Sequence, residues 1–402
     1  MKHLDTKESD AGRLRLVRDR RRTTLIILSL LGILLAAIGT ACATVASPRG
    51  WASPVEGENV LLVSHRDKLY ALDPETLIDV QIFPREPNDD DIDTVALYGD
   101  PAISGSRIFV PTHDNRLYAI DFDGVQVWSA PFEADGRLIG GVVFQADPGA
   151  AAEADAPAGV VYFGSDDGSV YALETDAGIR RWFFETDDGV WSTPALFEGV
   201  LYVTSLDGTM YALDADDGSL LWTIETESGI ASTPLINEAE RLVYFGGFDS
   251  KLHAIDIDTQ RERWAIEADN WFWTTPLLAD GVLYAGALDN KVYAVDAATG
   301  EAVWPEPFET DGPVRAAPLI VAGVLIVANR DGNVYGIDPE TGRDAFSGPL
   351  ILGDDVYADP LLRVTDDEGE VRETVLVMTT GGDLIEVDPD TLRITDTIPI
   401  GD

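Results

Sequence analysis

One pattern recurs eight times in this chain: two short apolar strands joined by a tight turn. In the central copies the equivalent residues Tyr171, Tyr211, His253, Tyr293 and Tyr335 are spaced 40, 42, 40 and 42 residues apart. A period of about 40 residues bounded by Asp-Gly and Asn-Gly turns is typical of β-propeller blades and unlike a solenoid of helix pairs. The copies lie at residues 60–73, 107–121, 160–174, 200–214, 242–256, 282–296, 324–338 and 375–388.

Each copy sits within a longer frame of four short strands. A Pro-led strand precedes the two core strands, as at Pro194 and Pro276, and a turn such as Asp217-Gly218 follows them. The last strand carries one large aromatic residue: Trp128, Trp182, Trp222, Trp264, Trp304 and Phe346. A single four-stranded sheet cannot bury both of its faces, so we expect these aromatics to pack between neighbouring blades. The sequence therefore predicts an all-β fold, an eight-bladed β-propeller of four-stranded antiparallel blades.

The charge is distributed unevenly along the chain. Residues 1–46 hold eight of the 28 basic residues and only four of the 71 acidic ones, so the rest carries a net charge of −47. Phosphate contacts need Lys or Arg to replace released counterions, and such an acidic domain repels nucleic acid. We therefore expect no nucleic-acid partner.

An uncharged, mostly apolar run at residues 23–47 follows the basic segment 1–22. Its length is enough to cross a bilayer as a helix, and the basic flank favours a cytoplasmic N-terminus with the rest exported. Three alternatives remain: an uncleaved signal anchor, a cleaved secretory signal, and a lipoprotein signal acylated at Cys42. The third is favoured, because Cys42 is the single cysteine and follows the small residues Gly39, Thr40 and Ala41. We expect a membrane-anchored propeller, residues 48–402, on the extracytoplasmic side.

Two stretches of the repeat carry a family resemblance. Tyr211-Ala-Leu-Asp214 followed by Asp217-Gly-Ser-Leu-Leu-Trp222, and Tyr293-Ala-Val-Asp296 followed by Thr299-Gly-Glu-Ala-Val-Trp304, resemble the pyrroloquinoline-quinone-like propeller repeat family. The resemblance covers about residues 50–402. It implies the propeller fold, and in size and anchor it is closest to the BamB-type lipoprotein of the outer-membrane assembly machinery.

The same resemblance leaves the function open among classes. It implies a monomeric scaffold that binds a protein or peptide at the cell envelope, with a pyrroloquinoline-quinone-dependent redox enzyme and an extracellular ligand sensor as alternatives. Many quinoprotein dehydrogenases carry a vicinal cysteine pair, which the lone Cys42 excludes. The chain also lacks a Gly-x-Ser-x-Gly elbow and a His-Glu-x-x-His motif. We therefore expect no catalytic residues and no cofactor.

Aligning the copies on the Pro that opens each blade reveals an aromatic-rich position three residues upstream. It holds Trp51, Tyr98, Trp191, Ala231, Trp273, Arg315 and Tyr357 in seven blades; blade 3 lacks the Pro, and Leu138 is its nearest equivalent. These residues end the loop between blades, so we expect them at one mouth of the central channel, beside the turns between the core strands. Either they bind an extended peptide, a strand edge or a planar ligand, or they fill the channel by packing on each other.

The histidines and the insertions have plainer interpretations. His65 and His113 occupy equivalent turns of adjacent blades and are weak metal candidates, because a zinc site needs three or four protein ligands. His253 stands where other copies have Tyr, which indicates a core residue. The insertions at 85–96, 145–158 and 364–374 are acidic or rich in Ala and Pro, and are interpreted as solvated loops.

Overall fold

The apolar alternation of each repeat folds as antiparallel strands. The computed structural model of the protein describes residues 52–57, 59–84, 96–147, 158–367 and 370–401. Within these ranges all regular structure is β, and no helix is long and apolar enough to cross a membrane. The predicted segment 1–22, the anchor segment 23–47 with Cys42, and Trp51 lie outside the described residues.

Eight sheets are formed, each from strands that are consecutive in the chain. The first four blades contain β1 (Val55–Gly57), β2 (Val60–His65), β3 (Lys68–Leu72), β4 (Asp79–Phe83), β5 (Ala102–Ser104), β6 (Arg107–Pro111), β7 (Arg116–Ile120), β8 (Phe132–Glu133), β9 (Val142–Ala146), β10 (Gly159–Gly164), β11 (Ser169–Glu174), β12 (Arg180–Glu185), β13 (Ala195–Phe197), β14 (Val200–Thr204), β15 (Thr209–Asp214) and β16 (Leu220–Glu225). The sequence prediction of four-stranded antiparallel blades is confirmed.

The other four blades follow the same order. They contain β17 (Leu235–Asn237), β18 (Leu242–Gly246), β19 (Lys251–Asp256), β20 (Arg261–Glu267), β21 (Leu277–Ala279), β22 (Val282–Gly286), β23 (Lys291–Asp296), β24 (Phe308–Glu309), β25 (Leu319–Val321), β26 (Val324–Ala328), β27 (Asn333–Asp338), β28 (Arg343–Asp344), β29 (Leu350–Ile351), β30 (Leu361–Asp367), β31 (Glu370–Met378), β32 (Asp383–Asp388) and β33 (Arg393–Pro399). In blade 7, both β28 and β29 pair with β27, as two halves of one outer strand.

Proline shortens the outer strand in three blades. Pro131, Pro307 and Pro349 directly precede β8, β24 and β29, each of which has only two residues. Proline has no N–H to donate to a ladder, so the chain bends before pairing resumes. As a result Trp128 and Trp304 lie ahead of these short strands rather than within them, although they still pack between blades.

At four seams between neighbouring blades, a tryptophan ring of one blade packs on a glycine of the next. Trp182 of blade 3 is 8% exposed, and its Nε1 donates a 3.0 Å hydrogen bond to the Ala215 carbonyl of blade 4. A Cβ on Gly218 would come within 2.6 Å of the ring, and φ is +74° there, so this position requires glycine. The same contact joins Trp128 to Gly178, Trp264 to Gly300 and Trp304 to Gly342.

Trp222 is the exception among the predicted inter-blade tryptophans. It is only half-buried, because blade 5 has Gln260, with φ +56°, where the other four tryptophan seams have glycine. It packs edge-on against Tyr202 with ring centroids 5.9 Å apart. The interpretation of Trp222 as a packing residue holds, but full burial is wrong for this one copy.

His253 is a core residue, as its position in the repeat indicates. In blades 3, 4 and 6 the tyrosines at this position donate a hydroxyl hydrogen bond to the aspartate four residues earlier, as Tyr211 does to Asp207 at 2.7 Å. His253 replaces that bond with contacts to Asp249 at 3.1 Å and Glu262 at 2.8 Å. Burial alone would lower the pKa of His253, but these two carboxylates outweigh it and raise the pKa.

Side chains close the ring between blades 8 and 1. Arg363 of blade 8 donates to the Pro74 and Glu75 carbonyls of blade 1 at 2.8 and 2.6 Å, and pairs with the buried Glu386 at 2.8 Å. An apolar cluster that includes Leu61 and Leu376 fills the same seam. Each described sheet uses consecutive strands, so closure here depends on packing and on this arginine rather than on an exchanged strand.

One predicted loop is instead part of a sheet. The insertion at 364–374 was expected to be solvated loop, but its described residues extend the hairpin of β30 and β31, with Val364 opposite Glu373 and Thr365 opposite Arg372. Val364 and Val371 are exposed on this extension. The strand propensity of its Val and Thr residues explains the difference.

The inter-blade contact predicts unequal effects of two matched substitutions. Trp182→Ala should reduce the free energy of unfolding by about 3–5 kcal/mol, because it opens a cavity at a buried seam. Trp222→Ala should cost about half as much, since its ring is already partly in water. Urea denaturation measures both free energies of unfolding. Equal losses in the two variants would contradict the proposed role of the glycine on which the Trp182 ring packs.

Candidate binding site

An extended segment carries each blade into the central channel, and its side chains alternate. In blade 4, Val190 is buried, Trp191 faces the channel, Ser192 is buried, and Thr193 faces the channel again. Successive side chains of extended backbone point to opposite sides, which produces this pattern. The entering segments thus have two alternating positions on the channel side, which we call the aromatic tier (the position of Trp191) and the polar tier (the position of Thr193).

Five of the six predicted site residues come together in the aromatic tier. Tyr98, Trp191, Trp273, Arg315 and Tyr357 line one cavity of about 110 Å³. The sixth, Trp51, lies outside the described residues. In blade 3 the equivalence with Leu138 is wrong: Leu138 is fully buried between blades, and Ile139 lines the cavity. The missing Pro displaced that alignment by one residue.

Contacts within the aromatic tier form a connected cluster. The Arg315 guanidinium lies 4.2 Å from the centre of the Trp273 ring and 5.0 Å from that of Tyr357. Trp191 and Trp273 are 6.4 Å apart, and Trp191 Nε1 donates to Asp166 at 2.7 Å. Burial lowers the pKa of Arg315. The cluster thus combines cation–π and aromatic contacts around a partly desolvated charge.

Sequence comparison missed two aromatic residues of this face. Phe248, in the turn between β18 and β19, stacks on Trp273 at 5.1 Å and on Trp271 at 4.4 Å. Trp271 is 40% exposed, so the stack leads from the channel to the outer surface of this mouth. Trp271 lies two residues before Trp273 in the sequence, and that spacing was the available signal. Phe248 gave a weaker signal, because among the equivalent turns only those of blades 1 and 2 contain a ring, that of His65 and that of His113.

The polar tier is a girdle of hydrogen bonds between blades. In each case a backbone N–H of one blade donates to a side-chain oxygen of the next. The bonds are Gly141 N to Thr193 Oγ1 at 2.8 Å, Thr193 N to Thr233 Oγ1 at 3.1 Å, Ala317 N to Asp359 Oδ1 at 2.6 Å, Asp359 N to Ser53 Oγ at 3.1 Å, and Ser53 N to Asp100 Oδ1 at 2.6 Å.

Two carboxylates of this girdle face the same cavity. Asp100 belongs to blade 2 and Asp359 to blade 8, with Ser53 of blade 1 between them. Burial in the channel raises the pKa of Asp100 to about 7, and the Asp359 charge adds to that shift. Burial also raises the pKa of Asp359 to about 6. Among the described residues, no lysine or arginine lowers the pKa of either carboxyl.

The two candidate metal-binding histidines lie in turns at this mouth of the channel. His113 packs on Tyr98 with ring centroids 5.0 Å apart, and burial lowers its pKa. His65 packs on Gly382 of blade 8, where a Cβ would meet the ring at 2.7 Å. In the described part of the chain, no three His, Cys, Asp or Glu side chains gather as a metal site would require.

The repeats match a known family along most of their length. The family described as outer membrane protein assembly factor BamB matches residues 81–186, 132–270, 239–371 and 273–400. The chain belongs to the BamB family. Comparison with curated protein sequences gives no significant match.

Solved structures agree with the BamB fold. The crystal structure of BamB from Moraxella catarrhalis superposes with a TM-score of 0.62 at 17% sequence identity, covering 82% of this chain and 91% of that one. The computationally designed Ika8 protein superposes with a TM-score of 0.58 at 15% identity, covering 74% of this chain and 86% of the other. At these identities the similarity concerns the fold alone.

The raised carboxyl pKa values predict a pH-dependent stability. A carboxyl whose folded pKa exceeds its unfolded value of 3.8 stabilises the fold below that value, and this contribution is lost as pH rises through about 7. Asp100→Asn keeps the acceptor and removes the charge. Relative to this variant, the wild type should therefore lose stability between about pH 4 and 8, on the order of 4 kcal/mol.

Thermal unfolding across this pH range measures the difference. The control is Asp123→Asn, which neutralises an exposed turn carboxylate. Its curve should parallel that of the wild type. If the stability of Asp100→Asn also follows the wild-type pH dependence, the ionised form of Asp100 is not destabilised by its surroundings.

Proposed function

We propose that this chain is a membrane-anchored, extracytoplasmic scaffold that binds a protein or peptide partner at the aromatic mouth of its channel. The observation that carries the proposal is the convergence of Tyr98, Trp191, Trp273, Arg315 and Tyr357 on one cavity, with Trp271 leading to the surface. Aromatic residues and arginine are the side chains most enriched at interface centres. Membership in a family described as an assembly factor supports a protein partner over a small substrate.

The charge of the domain supports the same class of partner. A net charge of −47 outside residues 1–46 disfavours nucleic acid and anionic lipid as ligands of the propeller. Membrane attachment is accordingly assigned to residues 23–47 and not to the propeller surface. The propeller itself is proposed to act as a monomer.

An enzymatic role finds less support in the channel. Arg315 lies across Trp273 and Tyr357, and the cavity is about 110 Å³. This arrangement supports a site for side chains over a slot for a flat, fused three-ring quinone. We therefore propose a scaffold without a cofactor and assign no catalytic residue.

The anchor proposal concerns Cys42. If Cys42 is acylated and becomes the first residue of the mature protein, Cys42→Ser should leave the precursor unprocessed, with residues 1–41 retained. Mass spectrometry of the purified protein's N-terminus measures this. Thr40→Ser is a conservative control and should be processed normally. A wild-type protein that begins at Met1 without a lipid would instead indicate an uncleaved helix.

The binding proposal predicts separate effects on capture and on stability. Trp191→Ala with Trp273→Ala should reduce partner capture at least tenfold, because it removes the centre of the aromatic surface. Both rings are half-buried, so the loss of stability should stay well below that of Trp182→Ala. Crosslinking and pull-down of the full chain from native membranes, with quantitative mass spectrometry, gives the readout.

Phe183→Ala is the matched control, because Phe183 is an exposed aromatic on the outer strand β12. It should leave capture unchanged. A double variant that unfolds as readily as Trp182→Ala would show that Trp191 and Trp273 are channel-filling residues. A stable double variant that still captures the partner would place the binding surface elsewhere.

A further inference from the structure

The two carboxylates of the polar tier are not needed for the girdle itself. Thr193 and Thr233 perform the same structural task, each accepting a backbone N–H from the preceding blade through a neutral hydroxyl. Asp100 and Asp359 accept equivalent bonds. A hydroxyl suffices to hold two blades at this position, and although the bonds to the carboxylates are shorter, at 2.6 Å against 2.8 and 3.1 Å, their desolvated charge costs free energy. The charge at these two positions therefore indicates a role beyond holding blades together.

The surroundings of the pair suit a positive charge. Both carboxylates face one cavity from either side of Ser53. Tyr98 and Tyr357 each lie two residues before one of them and line the same cavity. Aromatic faces attract cations, and this attraction strengthens where water is excluded.

The aromatic rings that line the channel already bind one cation, the Arg315 side chain of the protein itself. The Arg315 guanidinium already stacks at 4.2 Å on Trp273 and at 5.0 Å on Tyr357. It occupies the side of the channel formed by blades 6 to 8, whereas the carboxylates span blades 8, 1 and 2. The cavity volume of about 110 Å³ has room for the head group of a side chain but not for a folded element.

We propose that the partner inserts one basic side chain, an arginine or a lysine, into the channel, where its charge lies between Asp100 and Asp359. This inference rests on the proposed function, since it specifies what the partner presents to the aromatic mouth. The net charge of −47 on the propeller favours approach of a basic segment, which it would steer toward this face. The aromatic tier then packs against the stem of the inserted side chain.

Two small ligands that differ in charge test the inference directly. N-acetylarginine amide carries the guanidinium, and N-acetylcitrulline amide replaces it with a neutral urea of nearly the same shape. Saturation-transfer NMR on the full chain in detergent should detect the arginine compound and N-acetyllysine amide, with much weaker transfer to the citrulline compound. Equal transfer to the arginine and citrulline compounds would overturn the inference.

Variants locate the binding. Asp100→Asn with Asp359→Asn keeps both hydrogen-bond acceptors and removes both charges, and it should weaken arginine binding by about tenfold to a hundredfold, as expected for the loss of charge-assisted hydrogen bonds. Asp123→Asn should bind like the wild type. Unchanged binding in the double variant, with its folding verified by melting temperature, would refute the assignment.

Capture of the partner from membranes separates this inference from the proposed function. Loss of capture in both the carboxylate and the tryptophan double variants is the expected result. Loss only in Trp191→Ala with Trp273→Ala would leave the aromatic scaffold standing and reject the basic side chain. Full capture by both variants would reject the binding surface itself.

Discussion

Every blade depends on its neighbour to complete its core, and at four seams the central contact is a tryptophan ring seated on a positive-φ glycine. The ring excludes water from the seam, and its indole N–H donates to a carbonyl of the next blade, as from Trp182 to Ala215, whose carbonyl also accepts the Tyr162 hydroxyl. Where the glycine is replaced, as at Gln260, the ring is half-exposed. The glycine thus sets the distance between two blades at these seams. The distances at all seams together determine whether the ring closes.

Because the seams hold the blades together, the residues that line the channel can differ from blade to blade. The alternation along each entering segment makes every second side chain structural, as Val190 and Ser192 are, while Trp191 and Thr193 between them face the cavity. Substitution in the aromatic tier changes the channel without removing a packing residue of the seam, whereas polar-tier residues also accept the bonds between blades. This explains how one repeat carries an arginine, several aromatics and two carboxylates at equivalent places.

The repeat made most of the fold predictable, because eight copies average out the ambiguity of any single strand. The same averaging located the aromatic tier from Tyr98 to Tyr357. It failed where a copy departs from the frame: the missing Pro of blade 3 hid Ile139, and Phe248 stands where most other turns have no ring. The carboxyl pair was missed for a different reason. Asp100 and Asp359 are two among 71 acidic residues, and only the ring brings them to one cavity.

A repeat protein also provides its own internal comparison, since each position is occupied eight times under nearly the same constraints. The replacement of the seam glycine by Gln260 leaves Trp222 half-exposed, and nothing else among the described residues explains this replacement. Asp100 and Asp359 differ, because the bonds they accept are as short as those of their threonine counterparts or shorter, while their ionisation is opposed by burial. Packing does not require that charge, and a positively charged ligand in the channel would compensate it.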